Sequence, residues 1–389
     1  MIVLTLNSGS SSLKFGLYRV EGPETEALMT GETDGTELQA QDAKGSALPG
    51  TPKKAETPEA TIQAIVSLLA KVCLPAPEAI GHRIVHGGPR LRGHCLIDDG
   101  VERDLDAASA MSPLHAPVAL AIIRLAKQAW PDVPQAACLD TAFHADLPDI
   151  ARILPVAKEL RNEGVQRYGF HGLSCESIVR QFGNDLPKRL IIAHLGSGAS
   201  VTAVLNGRSI DTSMGLTPSG GIVMATRSGD LDPGVLIYLQ RDKGYDAAAL
   251  ENLVDHRSGL LGVSNLSGDL RELHRVEASN AEARLAIAIF CMSAAKQIAG
   301  MIVALGGVDA IVLTGGAGEH DVIVRSTIVE RLGCLGILLP GSSAKTAAGR
   351  IDAPKSICRV HVLPSLEDDQ IALHTGTLAA EGNLRKAGW

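Results

Sequence analysis

Aromatic side chains are scarce: five Phe, four Tyr and two Trp amount to 3% of 389 residues. That scarcity argues against a base-stacking platform or an aromatic sugar-binding groove. A basic excess is also missing, since 36 Lys and Arg stand against 43 Asp and Glu for a formal charge of −7, which speaks against nucleic-acid binding. The seven cysteines, at positions 73, 95, 138, 175, 291, 334 and 358, are odd in number and contain no CxxC pair. They suit reduced thiols in a cytoplasm and offer neither a disulfide framework nor a zinc finger. The longest apolar candidate, 298–308, is cut off by Lys296 and Asp309, short of the ~20 residues that cross a bilayer. The opening MIVLTLNSGS has no basic region before its apolar run, so it reads as a strand and not a secretion signal. Neither GxxxxGK[ST] nor a GxGxxG opening a helix occurs, which leaves P-loop and dinucleotide-dehydrogenase chemistry unsupported.

Apolar residues are plentiful. A hydrophobic share of 45% is enough for packed cores, and the length suits two domains of ~100–200 residues. IVLTL (2–6), the polar turn NSGSSS and LKFGLYRV read as a β-hairpin. Residues 21–58 read as surface strands and loops. Thr57 as N-cap and Pro58 at the first helical position open a helix with Ile62, Ile65, Val66, Leu69 and Val72 on one face. The strand AIGHRIVHGG, a helix after SPLHAP and a buried strand AACLD ending at Asp140 follow. Near 145 the pattern restarts, and RLIIAHLGSGASVTAVLNG (189–207) repeats the layout of strand, Gly/Ser turn and strand. That repeat points to an ancient duplication with ligand between the halves. Ala281–Leu305 reads as a largely buried helix closed by Gly306 and Gly307. Then come the strand AIVLT, the turn GGAGEH, a helix from near Asp321 and a last helix from Asp369 that returns to the first lobe. The whole reads as α/β, two lobes built on mixed sheets with helices on their faces.

The 41 glycines gather in short turns after apolar runs. Three such turns, Asn7–Ser12, Gly196–Ser200 and Gly315–Glu319, let backbone N–H groups and Ser hydroxyls point at one anion. Each alone suits a structural hairpin equally well, and three together favour phosphate. Ligands in such folds sit at the carboxyl ends of strands. Arg83 stands at a strand end, where its planar fork suits a carboxylate, a phosphate or a structural ion pair. His82 and His86 are four apart on a strand, too far apart to chelate one metal easily. Arg227 in a turn-rich loop reads as a phosphate clamp or a solvated side chain, Lys14 as an anion contact or a solvated strand lysine. His171 beside Phe170 reads as a core histidine on residue type alone, and Asp140 as a site carboxylate or a helix cap.

NSGSSSLKF (7–15), HRIVHGG (82–88), SPLHAP (112–117), DTAFH (140–144), YGFHGLS (168–174), HLGSGAS (194–200), DTSMGLTP (211–218), TRSGDLDPG (226–234) and TGGAGE (314–319) occur in this order. Nearly end to end, the chain resembles the acetate/propionate/butyrate kinase family. The resemblance implies two actin-like (ribonuclease H-like) lobes of the sugar-kinase/Hsp70/actin superfamily with an active site in the cleft between them. It assigns 1–142 plus 370–389 to a carboxylate-side lobe and 143–369 to a lobe for nucleotide binding and dimerisation. It further implies a cytoplasmic homodimer that moves a phosphoryl group directly between ATP and acetate, giving ADP and acetyl phosphate, with Mg2+ (Mn2+ as alternative). Propionate or butyrate kinase, a non-catalytic nucleotide sensor on the same fold and a phosphatase are the competing readings.

By the same resemblance Arg83, Arg227, Asp140, His171 and His115 are the catalytic set. Val85, Leu114, Phe170 and Pro218 line the acyl pocket with Arg83. Lys14, His194, Gly196, Ser197, Gly198, Asp269, Leu270, Arg271, Gly315, Gly316, Ala317, Gly318 and His320 meet the nucleotide. Asn7 and Glu367 lie nearest the metal, with Asp368 and Asp369 as competitors. Ser197 and His320 stand where the family usually has Asn, so both departures fall on the nucleotide side.

Overall fold

The opening apolar run and its Gly/Ser turn fold as expected: β1 (Ile2–Ser8) and β2 (Leu13–Glu21) pair antiparallel, Asn7 opposite Lys14. The computed structural model describes residues 1–9, 12–33, 37–49, 51, 57–113, 115–340 and 349–386, the side chains of 383–386 excepted. The chain divides into two units, one of Met1–Ala145, Gly172–Ser177 and Leu366–Trp389, the other of Asp146–His171 and Ile178–Ser365.

In the first unit β3 (Glu24–Thr33) and β4 (Leu38–Asp42) continue the meander. β5 (Ala79–Ile84), the two-residue β6 (Cys95–Leu96) and β7 (Gln135–Leu139) complete a seven-stranded sheet in the order β4-β3-β2-β1-β5-β7-β6. β1, β5 and β7 run parallel. Every residue of β7 is buried, as a parallel strand covered on both faces requires. Alternation along β1 sends Leu4 and Leu6 to a core shared with Ile62, Ile65 and Leu68 of the helix Pro58–Lys71. Val3 turns to the other face, against Ala372 and Ala379 of the helix Glu367–Lys386. Thr57 caps the Pro58 helix as read, its side chain accepting from the Ala60 N–H. Val66, placed on its apolar face by sequence, is 39% exposed; Leu68 fills the core instead.

The second unit repeats the design. β8 (Arg189–Leu195), β9 (Ala199–Leu205), β10 (Arg208–Thr212), β11 (Ala310–Thr314), β12 (Gly349–Arg350) and β13 (Arg359–Val362) are ordered β10-β9-β8-β11-β13-β12. Both sheets therefore join an antiparallel meander, of four strands in the first and three in the second, to two further parallel strands. The helix Ala281–Leu305 starts at the Asn280 cap, ends at Gly306 and packs on β8, β9 and β10. It is long and apolar enough, by length and composition, to cross a membrane, which the narrower 298–308 window did not register. Its burial is one-sided: Ala283, Ile287, Phe290, Ala294 and Ile298 are inside, while Leu285 and Val303 are exposed. A helix with one face in the core and the other at the surface is an ordinary packing solution, and less buried than its composition suggested.

Sequence reading took GGAGEH for a turn. It is a short helix, Gly315–His320, because Glu319 Oε1 accepts from the Gly315 N–H at 3.0 Å and satisfies the first turn from within. Asp321 then caps the following helix, Val322–Arg331, near the expected start.

Candidate functional site

Three neighbouring parallel strands of the first unit deliver their carboxyl ends to one polar cluster. β1 supplies Asn7, β5 supplies Arg83, and Asp140 follows the last residue of β7. Arg83 Nε and Nη2 both donate to Asp140 Oδ2, at 3.0 and 2.6 Å. Among the described residues its Nη1 has only long contacts, 3.5 Å to Asn7 Oδ1 and 3.4 Å to the Ser8 carbonyl. One face of the guanidinium is thus fixed and the other holds donors in reserve for an anion. Asp140 is fully buried, and its Oδ1 has no hydrogen-bond partner among the described residues. Burial raises the Asp140 carboxyl above its ordinary range while the Arg83 charge opposes it. For Arg83, burial works against the charge, but the carboxylates of Asp140, Glu367 and Asp368 hold its pKa above the ordinary value.

Glu367 and Asp368 arrive on the first turn of the C-terminal helix. Asn7 Nδ2 donates to Asp368 Oδ1 at 3.0 Å and to Glu367 Oε2 at 3.4 Å. Asp369, a competitor by sequence, accepts from Thr25 Oγ1 at 2.9 Å and turns away from Asn7. Burial pushes Asp368 up to about 6, with Asn7 and Lys14 acting the other way. Three carboxylates thus gather around the Arg83 charge, and their hard oxygens fit a divalent cation such as Mg2+.

The second unit assembles a different set. His171 stands just before the helix Gly172–Phe182 at φ 55°, a left-handed conformation uncommon outside glycine. Its Nδ1 lies 2.9 Å from Ser200 Oγ at the start of β9. Its ring stacks on His194 at the end of β8, with centroids 4.3 Å apart. A Cβ on Gly198 would come within 3.2 Å of His171 Nε2 and 3.5 Å of Arg227 Nη1. That position stays glycine so that a turn can pass under both side chains. Gly315, at φ +76° and with Leu195 backbone atoms 2.9–3.0 Å from a built Cβ, needs glycine for both conformation and space. A Cβ built on Gly196 would lie 3.9 Å from Gly316 N, so the Gly196–Ser200 and Gly315–Glu319 segments adjoin. Arg227 Nη1 donates to the Pro218 carbonyl at 3.3 Å.

The remaining sequence-named residues divide in the same way. Val85 is buried in the first unit, Phe170 and Pro218 in the second; Leu114 lies outside the described residues, as do Ser10 and Ser11 of the first turn. His115 is buried ahead of the helix Ala116–Ala129. Lys14 is exposed on β2 and lines a cavity of about 650 Å³ with Glu32 and Asp368. Ser197 presents its carbonyl to the Ala225 N–H, and His320 is 81% exposed. Asp269 caps the helix Leu270–Val276 and pairs with Arg271 at 2.7 Å. His82 and His86 find separate partners, the Gln135 amide and the Gly88 N–H.

Sequence reasoning missed Arg325. Only 1% exposed, it donates from Nη1 to the carbonyls of Gly318 and Glu319 and fixes the end of the Gly315 helix. It also missed Arg167, whose Nη1 reaches the carbonyls of Thr212, Ser213 and Met214. Neither stands in a Gly-rich motif or near its carbonyl partners in a way that spacing reveals.

Gly-rich turns at strand ends in one unit and a clamped arginine among carboxylates in the other suit one class of protein, a phosphotransferase built on two mixed sheets. The chain belongs to the acetokinase family, whose model matches residues 2–373, and is thereby an enzyme with a carboxyl group as acceptor. An acetate kinase from Chromobacterium violaceum is 39% identical over 402 aligned positions, covering 98% of this chain and 99% of that one. One from Methylocella silvestris is 39% identical over 96% of both. Among solved structures, a propionate kinase from Francisella tularensis superposes with a TM-score of 0.90 at 33% identity, covering 97% of this chain and 99% of that one. The acetate kinase of Porphyromonas gingivalis gives 0.84 at 32% identity and the same coverage.

Proposed function

We propose that the chain is an acetate kinase that moves the γ-phosphoryl group of ATP directly to acetate, reversibly, giving ADP and acetyl phosphate. The observation that carries this reading is Arg83, held edge-on by buried Asp140 with donors to spare beside Asn7, Glu367 and Asp368. Transfer between two anions needs fixed cations and positioning more than covalent help from the protein. The acceptor carboxylate is ionised at neutral pH, so no general base is required. In this reading Asp140 holds the plane of Arg83, while Arg227 and His171 neutralise the equatorial oxygens of the moving group. The turns at Gly196–Gly198 and Gly315–Gly318 bind the nucleotide phosphates and adenosine, with His194, Lys14, Asp269, Leu270 and Arg271 in support. Glu367 and Asp368, steadied by Asn7, would hold Mg2+ or Mn2+. When bound, that ion offsets phosphate charge.

Val85, buried just beyond Arg83, is the apolar neighbour that this proposal sets against the acyl group. A small apolar pocket separates acids one methylene apart by only ~1–3 kcal/mol, so propionate is a close second, and the Francisella structure favours keeping it in view. Side-by-side kcat/KM for acetate, propionate and butyrate decides: highest for acetate on this reading. Phosphate release from ATP with no acceptor dependence would point to a phosphatase instead.

A homodimer completes the proposal. The helix Pro233–Lys243 buries none of its residues, yet Val235, Ile237 and Tyr238, with Leu231 before it, present apolar surface. A cytoplasmic setting is supported by seven cysteines that form no disulfide among the described residues, four of them buried at Cys138, Cys175, Cys291 and Cys358.

A further inference from the structure

A second polar cluster lies behind Asp140 in the first unit, made of His94, Glu176 and His374. Its members are 82 and 198 residues apart, on the residue before β6, on the helix Gly172–Phe182 and on the C-terminal helix. Glu176 Oε1 lies 3.2 Å from His94 Nε2, and its Oε2 lies 2.7 Å from His374 Nε2. The two rings lie with centroids 3.8 Å apart and planes tilted by 34°. β6 ends its pairing with β7 at Cys95 opposite Ala137. Beyond it the His94 ring takes over, its Nδ1 accepting the Leu139 N–H at 3.0 Å.

Each arm of the cluster ends on the catalytic set. Leu139 immediately precedes Asp140. Glu176 lies one helical turn after Gly172, whose N–H donates to the Asp140 carbonyl at 2.9 Å. His374 is two turns after Glu367, on the same face of its helix. Burial alone would raise the Glu176 carboxyl; the hydrogen bonds from His374 and His94 reverse this and bring it down to about 2.

The three ligand atoms fall within 4.8 Å of one another, and a His2Glu set is one that zinc accepts. The tautomer speaks against it. An Nδ1 that accepts the Leu139 N–H carries no hydrogen, so the ring hydrogen sits on Nε2, the atom a metal would need.

We propose that His94, Glu176 and His374 form a metal-free hydrogen-bonded strut of positioning residues that fixes the Leu139–Asp140 backbone, and through it the plane of Arg83. The strut rests on the functional reading above in one respect only, that Asp140 and Arg83 serve phosphoryl transfer. Its removal should therefore lower kcat and leave KM for ATP nearly unchanged, because the nucleotide turns belong to the other unit.

His94→Ala, His94→Gln and His94→Asn test it, read by hydrogen exchange at the Leu139 amide and by steady-state kinetics. Asparagine places Oδ1 where Nδ1 stands and keeps the acceptor; glutamine keeps only the Nε2-like donor. The Ala and Gln variants should speed Leu139 exchange roughly tenfold or more and cut kcat roughly tenfold, with Asn between them and wild type in both, because it keeps the Leu139 acceptor but loses the contact with Glu176. Equal exchange and kcat in all four proteins overturns the strut, as does stoichiometric zinc binding to the wild type that His374→Ala abolishes. Exchange behaving as stated in a wild type without carboxylate kinase activity supports the strut and sinks the functional reading alone.

Discussion

On the proposed reading, Arg83 is the residue where chemistry and stability meet. Truncating it strands Asp140, a carboxylate with no exposed surface, and unpairing a buried charge costs about 3–5 kcal/mol. Arg83→Lys is the cleaner probe, since it keeps a charge beside Asp140 but loses the planar fork that pairs edge-on with the carboxylate while aiming a further donor at an anion. We expect kcat to fall roughly 10²-fold or more, with the thermal midpoint within a few degrees of wild type; turnover near wild type would remove Arg83 from the reaction. On the proposed reading, Arg227→Ala should slow turnover by ~10³-fold, the scale of other transition-state arginines. Val85→Ala should enlarge the acyl pocket and move the kcat/KM ratio toward propionate. An unchanged acid preference takes Val85 out of that wall.

Elements rich in local punctuation were readable before any coordinates. The opening hairpin, the Thr57–Pro58 helix start and the Gly306 stop each rest on residues within a few positions of one another. The Gly315–His320 segment misled because six residues are too few to show a helical period, and its internal Glu319 cap is visible only in three dimensions. The strut members defeat any reading by spacing for the same reason. Gly315→Ala should raise KM for ATP and cost about 1–3 kcal/mol of stability, because a Cβ there meets both positive φ and the Leu195 backbone. On β5, burial holds the His82 ring at about 4 against 6.5 in the unfolded chain. The unfolded state then binds a proton that the folded state refuses, so stability falls as pH drops from 6.5 toward 4, by roughly 3 kcal/mol at most. Urea unfolding at pH 7.5 and 4.5 should show a smaller loss for His82→Gln than for wild type; identical losses would contradict the assignment.

At the scale of the molecule, two sheets share one strand plan, a meander followed by two parallel strands, and each carries polar residues at its strand ends. The repeat of apolar run and Gly/Ser turn made the shared plan visible in sequence. The apolar surface of the helix Pro233–Lys243 was not, because alternation says which residues are apolar and not which stay uncovered. Sedimentation velocity should report twice the 40.6 kDa chain mass for wild type and a shift toward monomer for Ile237→Asp; a monomeric wild type contradicts the homodimer.

Acyl transfer from ATP-dependent carboxylate activation leaves a direct trace in hydroxylamine. Wild type, ATP, Mg2+ and acetate should accumulate acetohydroxamate at roughly 1–100 per second per chain, and Arg227→Ala about a thousandth of that. Hydroxamate no faster than in the absence of enzyme, from wild-type protein that binds ATP, would contradict the carboxylate kinase outright.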